Sequence, residues 1–221
     1  WMGGHGVAIG GVVVDGGNFD WGSTDKFSTI SEPHYAMDNI NFYEEFGPVA
    51  FSAKFRAEAM YNFGPCLAPM NAFHILQGLE TLPLRMQRHI ENTQELLQFL
   101  TSHEQISWVR HPSLPEHPQH ELAAEMLPRG AGSIITFGIK GGRDAGKKFI
   151  ETVTLSSHLA NVGDAKTLVI HPASTTHSHI DSQSMLSAGL TDDMIRLSVG
   201  LEDISDIISD FEQGLKAASK L

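Results

Sequence analysis

Cysteine is almost absent from this chain, with Cys66 alone among 221 residues. One thiol excludes an intramolecular disulfide framework, and with no signal-peptide pattern in the text it points to a reducing, cytoplasmic setting. Positive charge is scarce as well: 15 Lys and Arg stand against 26 Asp and Glu, for a formal net charge of -11. Such a surface repels phosphate backbones and anionic lipid, so no nucleic acid and no membrane is expected as a partner. Nor does any apolar run reach the roughly 18 residues that a membrane-spanning helix needs. Three catalytic signatures are missing too. No G-x-S-x-G elbow, no P-loop and no G-x-G-x-x-G opening a helix occurs, so serine hydrolysis and nucleotide binding have no motif behind them. Internal repeats and low-complexity tracts are absent.

What is present is an ordinary globular composition, 41% hydrophobic, sufficient for a sizeable core. Residues 7–14, VAIGGVVV, are apolar, rich in β-branched side chains and closed by DGGN, which predicts a buried strand ending in a turn. From Asn18 to Gly64 aromatic and polar residues alternate without a period, predicting a long surface excursion with a short helix around Ala53 to Tyr61. Cys66, set among small and apolar neighbours in FGPCLAPM, reads as a packing residue rather than a nucleophile. Helix formers then dominate to about residue 104, with Pro83 marking a kink or a boundary between two helices. Beyond a Pro- and His-rich connection, SIITFGI (133–139), LVI (168–170) and MIRLSV (194–199) read as strands, and GRDAGKKFIETVT as a helix between the first two. The last element is the plainest: Ile204, Ile207, Ile208, Phe211 and Leu215 fall on one helical face, and Asp203 is placed to cap it. This order predicts an α/β fold in which residues 1–82 form the tail of one α/β domain, joined by a long helix to a smaller α+β domain over residues 83–221.

Polar chemistry concentrates in NVGDAKTLVIHPASTTHSHI, residues 161–180, where a strand runs into His171, Ser174, Thr175, Thr176, His177 and His179. Loops at strand ends are where α/β proteins hold ligands, so a binding site is expected here. A zinc site from His171, His177 and His179 is one alternative, weakened by the lack of a nearby Cys or carboxylate at ligand spacing; histidines hydrogen-bonded in a polar turn are the other, favoured for His179. No metal is expected. Arg196 is the sharper signal, because it interrupts an apolar strand, and a guanidinium facing a core must find an anion. Sharing a cleft with Thr176, it forms a bidentate site for a small carboxylate. The alternatives are an internal ion pair with Glu202 or Asp203, or exposure at a sheet edge.

Four stretches, GGHGVAIGG, PLRMQRHIENTQ, NVGDAKTLVIHPASTTHS and IRLSVGLEDISDII, together resemble the Cys/Met-metabolism family of pyridoxal-phosphate enzymes, nearest to its O-acetylhomoserine sulfhydrylase branch. The likeness runs through nearly the whole chain, in order. It implies the C-terminal part of the type I, aspartate aminotransferase-like fold. In that family a Ser-x-Thr-Lys motif, an aromatic and an aliphatic residue precede GGHG. Trp1 and Met2 match the last two, which places the cofactor-bearing lysine immediately before Trp1, either across a cut or where the written sequence breaks at a modified lysine. By the same resemblance Arg196 binds the substrate α-carboxylate, Asn161 and Thr176 line the amino-acid pocket, and His5 supports the lysine or merely packs. Asn161, commonly Ser in the eliminating branch, and the long excursion over 18–64 both favour the sulfhydrylase. The implied reaction replaces the acetoxy group of O-acetylhomoserine by sulfide to give homocysteine; γ-lyase and cystathionine synthase activities are the nearest alternatives. The remaining cofactor contacts lie outside these residues, so the chain alone is expected to be inactive. Partners implied are a small amino-acid substrate, sulfide, the N-terminal portion of the same enzyme and a homotetramer. A non-catalytic oligomerisation or metal-binding module is the alternative from another class.

Overall fold

A five-stranded sheet organises the larger part of the chain. In the computed structural model, which describes all 221 residues, the strands are β1 (Ile106–Arg110), β2 (Ile134–Ile139), β3 (Ser157–His158), β4 (Leu168–Ile170) and β5 (Met194–Ser198). Their spatial order is β1-β2-β5-β4-β3, antiparallel throughout except for the parallel β3–β4 pair. Because side chains alternate along a strand, Ile135, Phe137 and Ile139 of β2 share a face with Ile195 and Leu197 of β5, and all five are buried.

Helices cover that apolar face. Helix α1 (Pro69–Glu80) gives way to α2 (Leu82–Ser102), which has Pro83 in its first turn, where a missing N–H costs nothing. Pro83 is thus a helix boundary. Helix α2 contributes Leu96, Leu97 and Leu100 to the core; α3 (Gly142–Thr152) contributes Ala145, Phe149 and Ile150; α4 (Ile204–Ala218) contributes Ile207, Phe211 and Leu215. Phe149 meets the rings of Phe137 and Phe211 edge-on, at centroid distances of 6.0 and 5.3 Å, the arrangement aromatic quadrupoles favour. A Cβ at position 214 would come within 2.7 Å of the Phe149 ring, so Gly214 is what lets α4 approach α3 this closely. Asp203 caps α4 as expected, accepting from the Ser205 N–H.

The chain divides into two compact units, residues 9–72 and residues 1–8 with 73–221. The first has its own small core of Ile30, Phe42 and Ala50, with Trp21 stacked on Phe51 at 5.4 Å. Its main helix runs from Ala50 to Phe63, longer than the expected Ala53–Tyr61 and loosened into a π-helical stretch at Phe55–Met60.

Two expectations fail. Residues 7–14 form no strand; they are irregular, with Ile9 and Val14 each 86% exposed. β-branched composition favours a pleated, half-buried surface, but a strand exists only through the ladder it makes, and no strand of this chain pairs with the segment. Cys66 is exposed rather than packed, because Gly64–Ala68 is an irregular connection with no element lying over it. Conversely, the structure adds the five-residue β1 and the two-residue β3.

One buried carboxylate ties α4 to the connection after α3. Asp210, 4% exposed, accepts backbone N–H bonds from Thr154 (2.7 Å), Leu155 (3.1 Å) and Ser156 (2.9 Å). Burial alone would raise its pKa, but these bonds and that from Gln213 outweigh burial and hold it below the ordinary Asp value. A depressed carboxyl stabilises the fold above the unfolded-state pKa, and that stability is lost as pH falls through the folded-state value. Asp210→Asn is therefore expected to cost about 2 kcal/mol at pH 7. Urea unfolding at pH 7 and near pH 3 should show the gap between variant and parent narrowing in acid.

Candidate functional site

The register of β5 decides where Arg196 points. Ile195 and Leu197 turn into the core, so Arg196 stands on the opposite face, directly across from Thr136 of β2 and Ile170 of β4. It is half-buried and makes neither an ion pair nor a side-chain hydrogen bond within the chain. Both structural alternatives for it are closed. The Glu202 carboxylate is taken by the Thr167 N–H (2.7 Å) and hydroxyl (2.8 Å), and Asp203 accepts from the Ser205 N–H (2.9 Å) and hydroxyl (2.7 Å). Edge exposure is excluded because β5 lies between β2 and β4. In the middle of the sheet, in a chain with an excess of acid, this guanidinium is left without an anionic partner from the chain itself.

The loop Asn161–Ala165 lies over the same face. Ser198, two residues beyond Arg196, accepts the Gly163 N–H at 2.9 Å. Gly163 has φ +76°, and a Cβ there would come within 2.4 Å of the Trp1 backbone nitrogen, so both its conformation and its surroundings demand glycine. The first residues of the chain are thereby brought beside the Arg196 strand. Further bonds fix them: the Trp1 indole N–H donates to Ser133 Oγ at 3.1 Å, and the Ala165 N–H to the Gly4 carbonyl at 2.7 Å.

The other expected residues are placed less tightly. Asn161 is exposed, its Oδ1 accepting the Val162 N–H at 2.9 Å. Thr176 is also exposed, its hydroxyl 2.8 Å from Nδ1 of His177. Neither hydrogen-bonds Arg196; Thr176 lies in the turn that follows β4, whose Ile170 is the cross-strand partner of Arg196. His5 is exposed and makes no side-chain hydrogen bond within this chain. His171 is fully buried and spans the turn, with Nδ1 2.7 Å from Ser174 Oγ and Nε2 2.7 Å from the Asp192 carbonyl. Burial lowers its pKa, which keeps the ring neutral with both nitrogens engaged by protein. His177 is half-buried and His179 exposed.

A group that sequence reasoning passes over is the polar stripe Arg85, His89 and Asn92 on α2, at i, i+4 and i+7. All three are buried, Arg85 to 7% exposure. Arg85 donates to the carbonyls of Trp1 (2.6 Å), Met2 (3.2 Å) and Gly78 (2.6 Å). A signal for it exists: three polar side chains at the spacing of a single helical face, in line with Leu96 and Leu100 farther along.

The profile of the family described as Cys/Met metabolism PLP-dependent enzymes matches residues 1–216. The chain belongs to this family. It is 46% identical over 219 residues to a homocysteine synthase of Schizosaccharomyces pombe, covering 99% of this chain and 51% of that protein. Its identity to O-acetyl-L-homoserine sulfhydrylase 1 of Thermus thermophilus is 44% over 215 residues, 97% of this chain and 51% of the other. A solved structure described as an O-acetylhomoserine (thiol)-lyase of Campylobacter jejuni, bearing a pyridoxyl-lysine monophosphate, superposes with a TM-score of 0.83 at 32% identity, covering 98% of this chain and 52% of that one. The fold is accordingly the expected C-terminal part of the type I fold, and the chain spans about half the length of the relatives it matches.

Because Arg196 satisfies nothing within the fold, its removal should leave stability almost untouched. Arg196→Met is expected to change the unfolding free energy by no more than about 0.5 kcal/mol, read from urea denaturation. A loss of several kcal/mol would mean that the guanidinium is a structural group.

Proposed function

We propose that this chain supplies the amino-acid-binding part of a pyridoxal-phosphate enzyme that makes homocysteine from O-acetylhomoserine and sulfide. The observation that carries the reading is the Arg196 guanidinium, half-buried in a central strand without a counter-ion. The names of relatives at 44–46% identity, homocysteine synthase and O-acetyl-L-homoserine sulfhydrylase, support the substrate and the thiol donor.

In this reading Arg196 grips the α-carboxylate through two N–H donors, and Asn161 and Thr176 line the pocket beside it. The cofactor-bearing lysine comes immediately before Trp1, so the Trp1–Gly4 segment sets where its backbone begins. When bound there, pyridoxal phosphate supplies an electron sink that stabilises negative charge on the amino acid. With the cofactor bound, the C–O bond to acetate would break and a C–S bond to sulfide would form while Arg196 holds the carboxylate in place. The phosphate and pyridine contacts belong to the N-terminal portion of the enzyme, with residues 1–82 completing that larger domain and 83–221 forming the smaller one. Assembly as a homotetramer and a cytoplasmic setting complete the proposal; no helix here is long and apolar enough to cross a membrane.

The test is product analysis with the natural full-length protein, O-acetylhomoserine and sulfide. Homocysteine as the main product is expected, whereas predominant α-ketobutyrate would assign the chain to the eliminating branch. Losing the paired guanidinium costs roughly 3 kcal/mol of binding, so Arg196→Met should lower kcat/KM about a hundredfold. An unchanged kcat/KM would remove Arg196 from the site.

A further inference from the structure

The polar stripe of α2 reaches two places at once. At its N-terminal end the Arg85 guanidinium, with no carboxylate near it, is satisfied by the Trp1, Met2 and Gly78 carbonyls and by Thr81 Oγ1 at 3.1 Å. A Cβ at Gly78 would come within 2.5 Å of the Met2 and Gly3 carbonyl oxygens, so the first residues lie directly against α1 as well. One and two turns farther along α2, the contacts change partner. His89 Nδ1 donates to the Val199 carbonyl at 2.6 Å, and the Asn92 amide donates to the carbonyls of Gly200 (3.0 Å) and Glu202 (2.9 Å). Those carbonyls belong to the turn leaving β5, whose residue 196 is the arginine. His89 Nε2 and Asn92 Oδ1 are buried without partners. Apolar residues would fill such a face without that cost, but they could not hold the carbonyls that these three side chains bind.

We infer that Arg85, His89 and Asn92 act as a spacing device, holding the Trp1–Met2 backbone at one end and the turn after the Arg196 strand at the other. Resting on the proposed function, this makes all three positioning residues: they fix the distance between the cofactor-bearing lysine and the guanidinium that holds the substrate acid. A further link closes the loop between the two ends, because Ala165 donates to the Gly4 carbonyl and accepts from the Leu201 N–H at 2.8 Å. The segment that follows the lysine and the segment that follows the arginine's strand are thus tied to each other and to one rigid helix. An ångström of drift between reacting groups is enough to cost about a hundredfold in rate, which is the scale on which such a spacer acts.

The test uses the natural full-length protein with Arg85→Met, Arg85→Lys and Asn92→Ala. Four readouts are taken: the visible absorbance of lysine-bound cofactor with the pH at which it titrates, amide exchange of residues 2–4 in cofactor-free protein, KM and kcat, and the melting temperature. Arg85→Met is expected to speed exchange at residues 2–4 and to shift the absorbance titration, with Arg85→Lys restoring part of both. Asn92→Ala should leave the absorbance titration in place and raise KM about tenfold for the acylated amino acid, more than it lowers kcat. If the variants lose only melting temperature while absorbance, exchange and the KM-to-kcat balance match the parent, the stripe is structural and the inference falls. Should Arg85→Met not fold, Arg85→Lys alone decides, since a lysine cannot reach all three carbonyls. A parent protein without any cofactor absorbance would overturn the proposed function itself, and the inference with it.

Discussion

The two-residue period of β5 is the constraint on which everything else in the larger unit depends. Ile195 and Leu197 enter the core, and that choice of register forces Met194, Arg196 and Ser198 to the other face. A slip by one residue would bury a guanidinium among Phe137, Phe149 and Phe211 and remove Ile195 and Leu197 from that core. Desolvating an unpaired cation there is far costlier than any cross-strand preference, so the register has a single solution. The apolar face therefore does double duty: packing against α2, α3 and α4 holds the sheet together and aims Arg196 away from them.

Around that strand, backbone capture rather than ion pairing does most of the fixing. Arg85, Asn92, Glu202 and Asp210 each bind main-chain groups, and the charged members of the set find no opposite charge. Charge-assisted bonds to the backbone are directional and tie down irregular segments that no ladder or helix holds. Those segments, Trp1–Gly4, Gly163–Thr167 and Val199–Glu202, are joined to one another by the bonds of Ala165 to Gly4 and Leu201.

Much of this is legible in the sequence, for identifiable reasons. The strands at 134–139, 168–170 and 194–198 carry dense apolar β-branched signals, α4 announces itself by period and cap, and Pro83 marks where one helix ends. Arg196 is visible as a charge in an apolar run. What the sequence does not disclose is relational. Residues 7–14 have the composition of a strand, but composition cannot supply a neighbour to pair with, and the exposed Cys66 shows the same limit for a short apolar connection. The partners of Arg85 at Trp1 and Met2 lie more than 80 positions away along the chain, so its role emerges only once the fold brings α2 against the first residues. Glu202 and Asp203, candidate partners for Arg196 by proximity in sequence, are turned by the α4 cap and by Thr167 to other work.

The division between the two faces of the sheet also explains how an uncompensated guanidinium persists. Stability comes from the covered face, where aromatic and aliphatic side chains interlock, and from carboxylates such as Asp210 whose acceptors are filled. On the opposite face Leu168, Ile170, Met194 and Ser198 are buried too, and Arg196 is the half-buried charged group among them. Had the same arginine been paired with Glu202, the fold would have gained one more internal contact, and an incoming acid would have had to break it. Thr167 instead takes both oxygens of Glu202, and Arg196 is left without an internal counter-ion.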